Sequence, residues 1–265
     1  MMDVTPEITR DNIRNLVNNN QRADGRALDE YREINIETGV IPKAEGSALC
    51  KLGGTKVIVG IKPSVGEPFP DTPDVGVLMT NCELLPMADP SFEPGPPSLE
   101  SIELARVVDR GIRESEMVNL NELCIEEGKH VWILFIDLHV IDNCGNLFDC
   151  ASLAVNAALK SCKLPKASVV DDEIVYDEEE TFDVPLNHNV ALSTFVKIGD
   201  EMVLDPSLDE ERVLSARLSV GITEEGSICS MQKGGDEPIT KDDLFAAVKT
   251  ALNKNDEILA NLNFE

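Results

Sequence analysis

A nearly unbroken apolar run at residues 131–141 constrains the fold of this chain more than any other stretch. It is rich in β-branched and aromatic residues, and it predicts a central strand that is covered on both faces. The polar turn 142–146 ends the strand, and the small side chains at 150–159 predict a helix that lies close to a sheet. A strand, a tight turn and a buried helix therefore follow one another directly.

The start of that helix is a place where phosphate commonly binds, because free backbone N–H groups and the helix dipole point there. In this chain the region carries two acids, Asp142 and Asp149, and no basic residue. We therefore expect that this anion site does not function.

The composition is that of a folded protein rather than of a membrane protein. Of the 265 residues, 42% are apolar, which is enough for one large domain or two of ordinary size. No apolar run approaches the roughly 18 residues of a membrane helix, and residues 1–26 are too polar for a signal peptide. We expect a cytoplasmic protein that does not contact a membrane. The seven cysteines include no Cys-x-x-Cys pair, and we interpret them as buried thiols rather than zinc ligands.

The strongest compositional signal is the charge, since 23 Lys and Arg against 49 Asp and Glu give −26 at pH 7. A surface this acidic repels nucleic acid as a whole, so that RNA or DNA can be bound only through a local basic cluster or a basic partner. Acidity that merely keeps the protein soluble explains the charge equally well.

Hydrophobic periodicity and turn signals predict an α+β fold of two β-rich halves, each packed with helices. Besides the central helix, helices are predicted from Thr5 to about Asn18, from Ser98 onward, and from Thr240 to Leu262. Strands are predicted at 34–38, 46–52, 55–61, 75–85, 174–176, 190–198, 202–204, 213–221 and 227–231.

The regions between these elements predict how the chain is divided. Residues 63–74 are expected to be irregular, and the acidic run 177–180 is expected to lie between strands. The segment 163–166 marks the boundary of the halves. The predicted divisions are an N-terminal helix at 1–20, a first half at 21–165 and a second half at 166–265.

The helix that begins near residue 98 carries three arginines on one side, Arg106, Arg110 and Arg113, which we call the arginine stripe. At about 100° per residue they lie roughly 140–200° from Val108, the centre of the buried face. They are the only arginines between residues 33 and 211, so their clustering does not follow from composition. The stripe is either a solvated helix face or an anion-binding surface, because guanidinium groups match phosphate.

No catalytic set can be assembled from the other polar residues. The three histidines lie in or beside the central strand or in a loop, where a structural role is more common than acid–base chemistry. The acids Asp205, Asp209, Glu210 and Glu211 form a cluster that could hold Mg²⁺, but two nearby arginines, at 212 and 217, oppose a metal there. We interpret the cluster as a solvated acidic turn and predict no cofactor or metal.

Three segments together resemble the ribonuclease PH family: residues 22–26, 46–60 and 100–110. The combination is specific although each piece alone is not, and the similarity extends over about residues 5–260. More closely, the chain resembles the non-catalytic ribonuclease PH-like subunit of the archaeal exosome. This resemblance implies a ribonuclease PH-like fold of two β-rich halves with helices, assembled into six-membered rings.

Active members of that family degrade RNA from its 3′ end with inorganic phosphate. They use a Gly-Thr-Arg or Gly-Ser-Arg turn before the central helix and two aspartates six residues apart after a later strand. In this chain the turn 145–148 has no arginine, and the aspartate pair falls on Glu211 and Arg217. By resemblance, the chain is therefore an inactive subunit of a phosphorolytic 3′-to-5′ exoribonuclease complex.

The resemblance also implies partners and a role for the arginine stripe. The chain would alternate with a catalytic ribonuclease PH-like subunit in a hexameric ring that carries RNA-binding cap subunits. Arg106 and Arg110, with Arg113 as a weaker candidate, would contact single-stranded RNA held at the partner's active site. Two alternatives stay open: a self-sufficient phosphorolytic exoribonuclease with a different active site, and an acidic scaffold that makes no RNA contact.

Overall fold

The structure is a computed structural model, and it describes residues 6–170 and 173–262. The helices in these residues are α1 (Glu7–Asn18), α2 (Leu99–Glu114), α3 (Leu147–Lys160), the short α4 (Leu208–Glu211) and α5 (Lys241–Leu259). The strands are β1 (Ile34–Thr38), β2 (Gly46–Leu52), β3 (Thr55–Gly66), β4 (Val77–Leu84), β5 (Cys124–Glu126), β6 (His130–Asp142), β7 (Lys163–Val170), β8 (Glu173–Asp183), β9 (Val190–Ile198), β10 (Glu201–Leu204), β11 (Ala216–Thr223) and β12 (Ile228–Gly234).

The strands of the described residues form a large sheet, a smaller sheet and a hairpin. The large sheet has the order β1-β2-β3-β6-β4, with β5 paired to β6, and the smaller one has the order β10-β9-β11-β12. Strands β7 and β8 pair only with each other. All pairs are antiparallel except that of β4 and β6. The predicted α+β class is confirmed.

Helix α3 lies between the two larger sheets and packs against β2, β3 and β9. Every residue from Phe148 to Leu159 is buried, as the apolar and small side chains of this helix predicted. Its axis comes so close to β2 that a Cβ atom on Gly46 would lie 2.5 Å from the carbonyl oxygen of Ala158. The central strand and this helix therefore do form the middle of the fold.

The prediction that the central strand is covered on both faces is wrong. In β6 the alternate residues Leu134, Ile136 and Leu138 are buried in the core, whereas Phe135 and Asp137 on the other face are only half-buried. The apolar run looked continuous because the outer face also carries large apolar side chains, although it is only partly covered by the described residues of this chain.

Local signals placed most helix ends correctly, and the interpretation of some connecting segments was wrong. Ser98 caps α2, and Thr240 forms the predicted capping box of α5 with Asp243, while the predicted cap at Thr5 lies outside the described residues. Strand β3 continues through the segment that was expected to be irregular from Pro63, because its ladder with β6 runs on to Gly66.

The segments around β7 and β8 also differ from the sequence prediction. Residues 163–166 begin β7, where Pro165 pairs with Thr181. The acidic run 177–180 lies within β8 rather than between strands. The division of the chain at residue 165 stays a prediction. None of the described helices is long and apolar enough to cross a membrane.

Two glycine substitutions test the packing of α3 by opposite effects on stability. We expect Gly46→Ala to destabilise the chain by about 1–3 kcal/mol, because backbone atoms of Ala158 and Cys162 leave no room for a methyl group. We expect Gly111→Ala, in α2, to stabilise it by about 0.5–1 kcal/mol, because no atom beyond the adjoining residues of its own helix lies within 4 Å of that added Cβ. Urea unfolding of the purified chain measures both, and equal effects would contradict the packing.

Candidate anion-binding sites

The turn before α3 is built around Asn146, which adopts a left-handed backbone conformation with φ 56° and caps the helix. Its backbone N–H donates to Oε1 of Glu211 at 2.8 Å. A carboxyl group of the chain itself therefore accepts from an N–H group at the helix start that could otherwise bind an external anion. From its acidic sequence, we expected that the anion site at the start of α3 does not function. The contact between Glu211 and Asn146 explains why it is closed.

Arg32 holds the same turn from the other side. Its guanidinium donates to the carbonyl oxygens of Cys144 at 2.9 Å and Gly145 at 3.0 Å, and to Oδ1 of Asp205 at 2.7 Å. Asn146 Nδ2 also donates to Oδ1 of Asp205 at 2.7 Å. Because these acceptors engage its donors, Arg32 stabilises the turn instead of offering its charge to a ligand.

Asp205 is fully buried and accepts hydrogen bonds from a second arginine as well, Arg26, whose Nη1 lies 2.8 Å from Oδ2. Burial alone would raise the pKa of this carboxyl group. The hydrogen bonds and positive charge of Arg32 outweigh that effect and hold the pKa of Asp205 below its ordinary value. Asp205 is therefore a buried carboxylate whose negative charge is stabilised by these arginines.

The interpretation of this region as a solvated acidic turn is wrong, since Asp205 and Glu210 are both buried. Arg22 forms a two-pronged pair with Glu210, with Nε–Oε1 at 2.9 Å and Nη2–Oε2 at 2.7 Å. The arginines that neutralise the acids come from residues 22–32, far away in sequence. The only sequence signal for this was the local excess of arginine in that N-terminal stretch.

Beside the turn lies a cavity of about 540 Å³ that contains both positions matched to the family's aspartate pair. Arg217 donates to Glu103, and its guanidinium carbon lies 4.2 Å from the ring centre of Phe148. Burial raises the pKa of Glu211 to about 7, against the opposing effects of the Asn146 N–H group and the charge of Arg217. The positive charge of Arg217 is thus already paired with Glu103.

The remaining ionisable groups make this cavity a poor phosphate site. Its lining carries four carboxyl groups, on Asp89, Glu100, Glu103 and Glu211, and two arginines. The excess of acids repels an inorganic anion. In the described residues, no group of three or more His, Cys, Asp or Glu side chains is placed to hold a metal ion.

The arginine stripe lies on the outer side of α2, opposite the buried residues Leu104 and Val108. Arg106 and Arg113 are exposed and line a second cavity, whereas Arg110 is half-buried and turns toward β12. The three residues therefore share the outer side, as predicted, but only Arg106 and Arg113 border the same cavity.

The three arginines differ in how far their charges are engaged. Arg113 pairs with Asp109, with Nη2–Oδ1 at 3.0 Å, and donates to the carbonyl oxygen of Leu78. Arg110 donates to the neutral amide of Gln232 at 3.1 Å and keeps its full charge. Arg106 has no hydrogen bond or ion pair with any described residue. Arg106 and Arg110 are therefore the strongest positions for an external phosphate.

Comparison with known proteins places both halves of the chain in one family. Residues 30–165 match domain 1 and residues 188–254 match domain 2 of the 3′ exoribonuclease family. The chain is 58% identical to the exosome complex component Rrp42 of Methanothermobacter thermautotrophicus, over 99% of this chain and 97% of that protein. It is 50% identical to the component of the same name from Thermococcus gammatolerans, over 97% and 94% of the two chains.

Solved structures show the same relationship. A chain of the Archaeoglobus fulgidus exosome with RNA bound to the active site matches with a TM-score of 0.90 and 41% identity, covering 97% of this chain and 98% of that one. A chain of an archaeal exosome core matches with a TM-score of 0.85 and 38% identity, covering 97% of each. These similarities confirm the ribonuclease PH-like fold that the sequence segments implied.

The buried position of Glu211 predicts how the stability of the chain depends on pH. Because the folded chain raises the pKa of Glu211 from 4.5 to about 7, it binds this proton more tightly than the unfolded chain. The contribution of Glu211 to stability is therefore lost as pH rises from about 4.5 to 7, by up to about 3 kcal/mol. Urea unfolding at about pH 5 and pH 7.5 measures this loss.

Glu211→Gln should lose less stability than the wild type between those two pH values, because glutamine keeps the shape of the side chain but has no group that titrates. The matched control is Glu225→Gln, at an exposed position, which should follow the wild type. Parallel pH profiles for all three proteins would show that Glu211 does not titrate as the structure indicates.

Proposed function

The chain belongs to the 3′ exoribonuclease family, and from that premise we propose that its arginine stripe holds RNA for a catalytic partner. It is a non-catalytic subunit of an archaeal exosome ring. In our proposal the ring is hexameric, this chain alternates in it with a catalytic ribonuclease PH-like subunit, and RNA-binding cap subunits sit on the ring. The cytoplasmic location expected from the sequence stays a prediction.

One contrast carries this proposal. The anion position at the start of α3 is occupied by Glu211 of the chain itself, whereas Arg106 on the surface has no partner among the described residues. On a protein with a net charge of −26, an unpaired guanidinium on an exposed helix is an attractive position for a phosphate. Among the described residues, the phosphate position at the start of α3 is thus closed, while the arginine stripe offers cations to an anion held elsewhere.

The contacts of the stripe support an order of importance. Gln232 orients Arg110 without neutralising it, and the packing of α2 on the core fixes the backbone from which the side chain of Arg106 extends. Asp109 partly neutralises Arg113, so this residue contributes less. Because the three side chains lie on the outer side of α2, a neighbouring subunit can present RNA to them without any rearrangement of this chain.

A self-sufficient exoribonuclease would need a phosphate and a catalytic carboxylate in the same pocket. In the cavity of Glu211, the second carboxylate position is Arg217, which is held by Glu103 and lies over Phe148. The first position, Glu211, has a raised pKa and accepts a hydrogen bond from the backbone N–H of Asn146 at the start of α3. Neither group is free to activate phosphate or to hold a metal, which argues against independent activity.

Charge reversal of the stripe tests the RNA contact. In a ring reconstituted with the catalytic partner, we expect Arg106→Glu with Arg110→Glu to weaken RNA binding by at least about tenfold, since charged hydrogen bonds to phosphate are lost. The binding measurement is made without inorganic phosphate, so that no RNA is degraded. We also expect the salt dependence of binding to become shallower, by about 0.7 in the log–log slope per lost phosphate contact.

The control for that experiment is Lys249→Glu, which makes the same charge change as one of the two arginine substitutions, at an exposed position on α5. It should bind RNA nearly as well as the wild type. Particle mass must show intact rings for every variant. Intact rings with unchanged RNA affinity in the arginine variant would favour an acidic scaffold that makes no RNA contact.

The absence of activity in the single chain is a separate prediction. We expect the purified chain to release no nucleoside diphosphates from RNA in the presence of inorganic phosphate, because its phosphate position is filled by Glu211. The ring with its catalytic partner serves as the positive control. Phosphate-dependent shortening of RNA by the chain alone, retained after removal of any co-purified nuclease, would establish the rival function.

A further inference from the structure

An open cavity of about 540 Å³ lies beside the closed anion position, and acids outnumber bases in its lining. We call it the acidic cavity. Its two arginines are already engaged, since Arg217 pairs with Glu103. Arg212 lies 3.6 Å from a carboxylate oxygen of Asp209, which is outside the lining. The negative charge of the acidic cavity is therefore not balanced by its own arginines.

Asp89 is the buried acid of this lining, with 5% of its surface exposed. Its hydrogen bonds come from neutral donors, namely the backbone N–H and hydroxyl of Ser91 and the side-chain amide of Asn143. Burial alone would raise the pKa of Asp89, but these hydrogen bonds and the charge of Arg212 hold it below its ordinary value. No cation of the described residues forms an ion pair with this buried carboxylate, so a cation from outside would be stabilised there.

The rest of the lining combines a second unpaired acid with apolar side chains. Glu100 is exposed and makes no hydrogen bond or ion pair with a described residue. Phe92, Leu104 and Leu147 form part of the wall. Long basic side chains lay their alkyl stems along apolar surface and keep their charged ends near acids. The acidic cavity therefore suits a lysine or arginine side chain.

We propose that the acidic cavity receives a lysine or arginine side chain from the catalytic neighbour, on the helix that corresponds to α2. This inference rests on the proposed function, since it requires that neighbour. It goes further because it gives the former active-site region a role in assembly. The cavity binds a cation of the partner in place of the phosphate that it no longer holds.

The position of α2 explains how the neighbour reaches the acidic cavity. In this chain α2 borders both surfaces, since Glu100 and Glu103 line the acidic cavity and Arg106 follows about one turn later. A neighbour of the same fold carries its own α2 beside its own active site. When the arginine stripe lies at that site, the two α2 helices come close together, and the contact is reciprocal as in a two-fold interface.

The chemistry of the lining favours a side chain over a free ion. In the part of the chain that the structure describes, no group of three or more His, Cys, Asp or Glu is placed to hold a metal. Inorganic anions are repelled by the excess of acids. A free polyamine matches the charge, but it loses its own translational freedom on binding. A side chain of a docked neighbour is already held at high effective concentration.

The walls of the acidic cavity are held in place by contacts within the chain. Arg217 of β11 pairs with Glu103 of α2, and its guanidinium carbon lies 4.2 Å from the ring centre of Phe148 in α3. The N–H of Asn143 donates to the carbonyl oxygen of Ala88, which fixes the loop of the buried acid. A preformed cavity loses little freedom on binding, which favours affinity from few contacts.

The double variant Asp89→Asn with Glu100→Gln tests the cation contact, because it removes both unpaired charges and keeps the size of the side chains. We expect the affinity of the chain for the catalytic subunit, measured without RNA, to fall by about tenfold. The difference from the wild type should shrink in about 1 M salt, where exposed charges are screened. Titration of the labelled chain with the catalytic subunit measures both effects.

The matched control is Glu225→Gln with Asp242→Asn, which makes the same two changes at exposed positions outside the acidic cavity. It should associate like the wild type. Urea unfolding of each isolated chain shows whether a variant folds normally. If the double variant is unstable, the single variant Glu100→Lys decides the question, because its position is exposed and its charge repels the partner's cation. It should weaken association more than Glu100→Gln does.

The outcomes separate this inference from the proposed function. If charge reversal of Arg106 and Arg110 weakens RNA binding while Glu100→Lys and the double variant associate like the wild type, the cation contact is wrong and the proposed function stands. If the cavity variants weaken association but the arginine variant binds RNA normally in intact rings, the cation contact stands without the RNA role.

A free polyamine is the remaining outcome. If spermidine stabilises the isolated wild-type chain against urea but not the double variant, and association with the neighbour is unchanged in that variant, the acidic cavity binds a free cation. The assignment of a side chain from the neighbour would then be overturned.

Discussion

The structure depends on one fully buried carboxylate, Asp205. It accepts hydrogen bonds from Arg26 and Arg32 of the N-terminal segment and from Asn146 at the start of α3, and it follows directly on strand β10. A buried charge is costly unless it is paired and hydrogen-bonded, so these groups must stay together in the folded chain. The cluster thereby fastens the N-terminal segment, the central helix and the smaller sheet to one another.

The same cluster explains why the chain has lost the chemistry of its family. Arg32 lies next to the turn before α3, where a cation could assist an external anion, but its donors bind Asp205 and two backbone carbonyls of that turn. Glu211 occupies the N–H of Asn146. Inactivity therefore does not result only from missing residues. The groups around the former site now bind one another, and their interactions stabilise the fold.

The sequence predicted what local signals determine and failed where distant residues meet. The cap at Ser98 and the capping box of Thr240 could be placed because their hydrogen bonds span three residues. The pair of Arg22 and Glu210 joins residues 188 apart, and no periodicity or turn signal reports such a contact. The acids there were consequently interpreted as solvated, and the partly open outer face of β6 was missed because apolar patterning cannot say which layer covers a strand.

The arginines of the chain differ in whether they have an acidic partner. It pairs Arg22, Arg26 and Arg32 with buried acids of its own, yet it leaves Arg106 on the surface with no partner among the described residues. Arg10 and Arg14 on α1 are also exposed and make no side-chain hydrogen bond or ion pair with a described residue, so Arg106 is distinguished by its place beside Arg110 and Arg113 on α2 and not by the lack of a partner alone. Internal pairing closes the anion position at the start of α3. In the proposed function, the unpaired arginine is the position that meets RNA held by a neighbour.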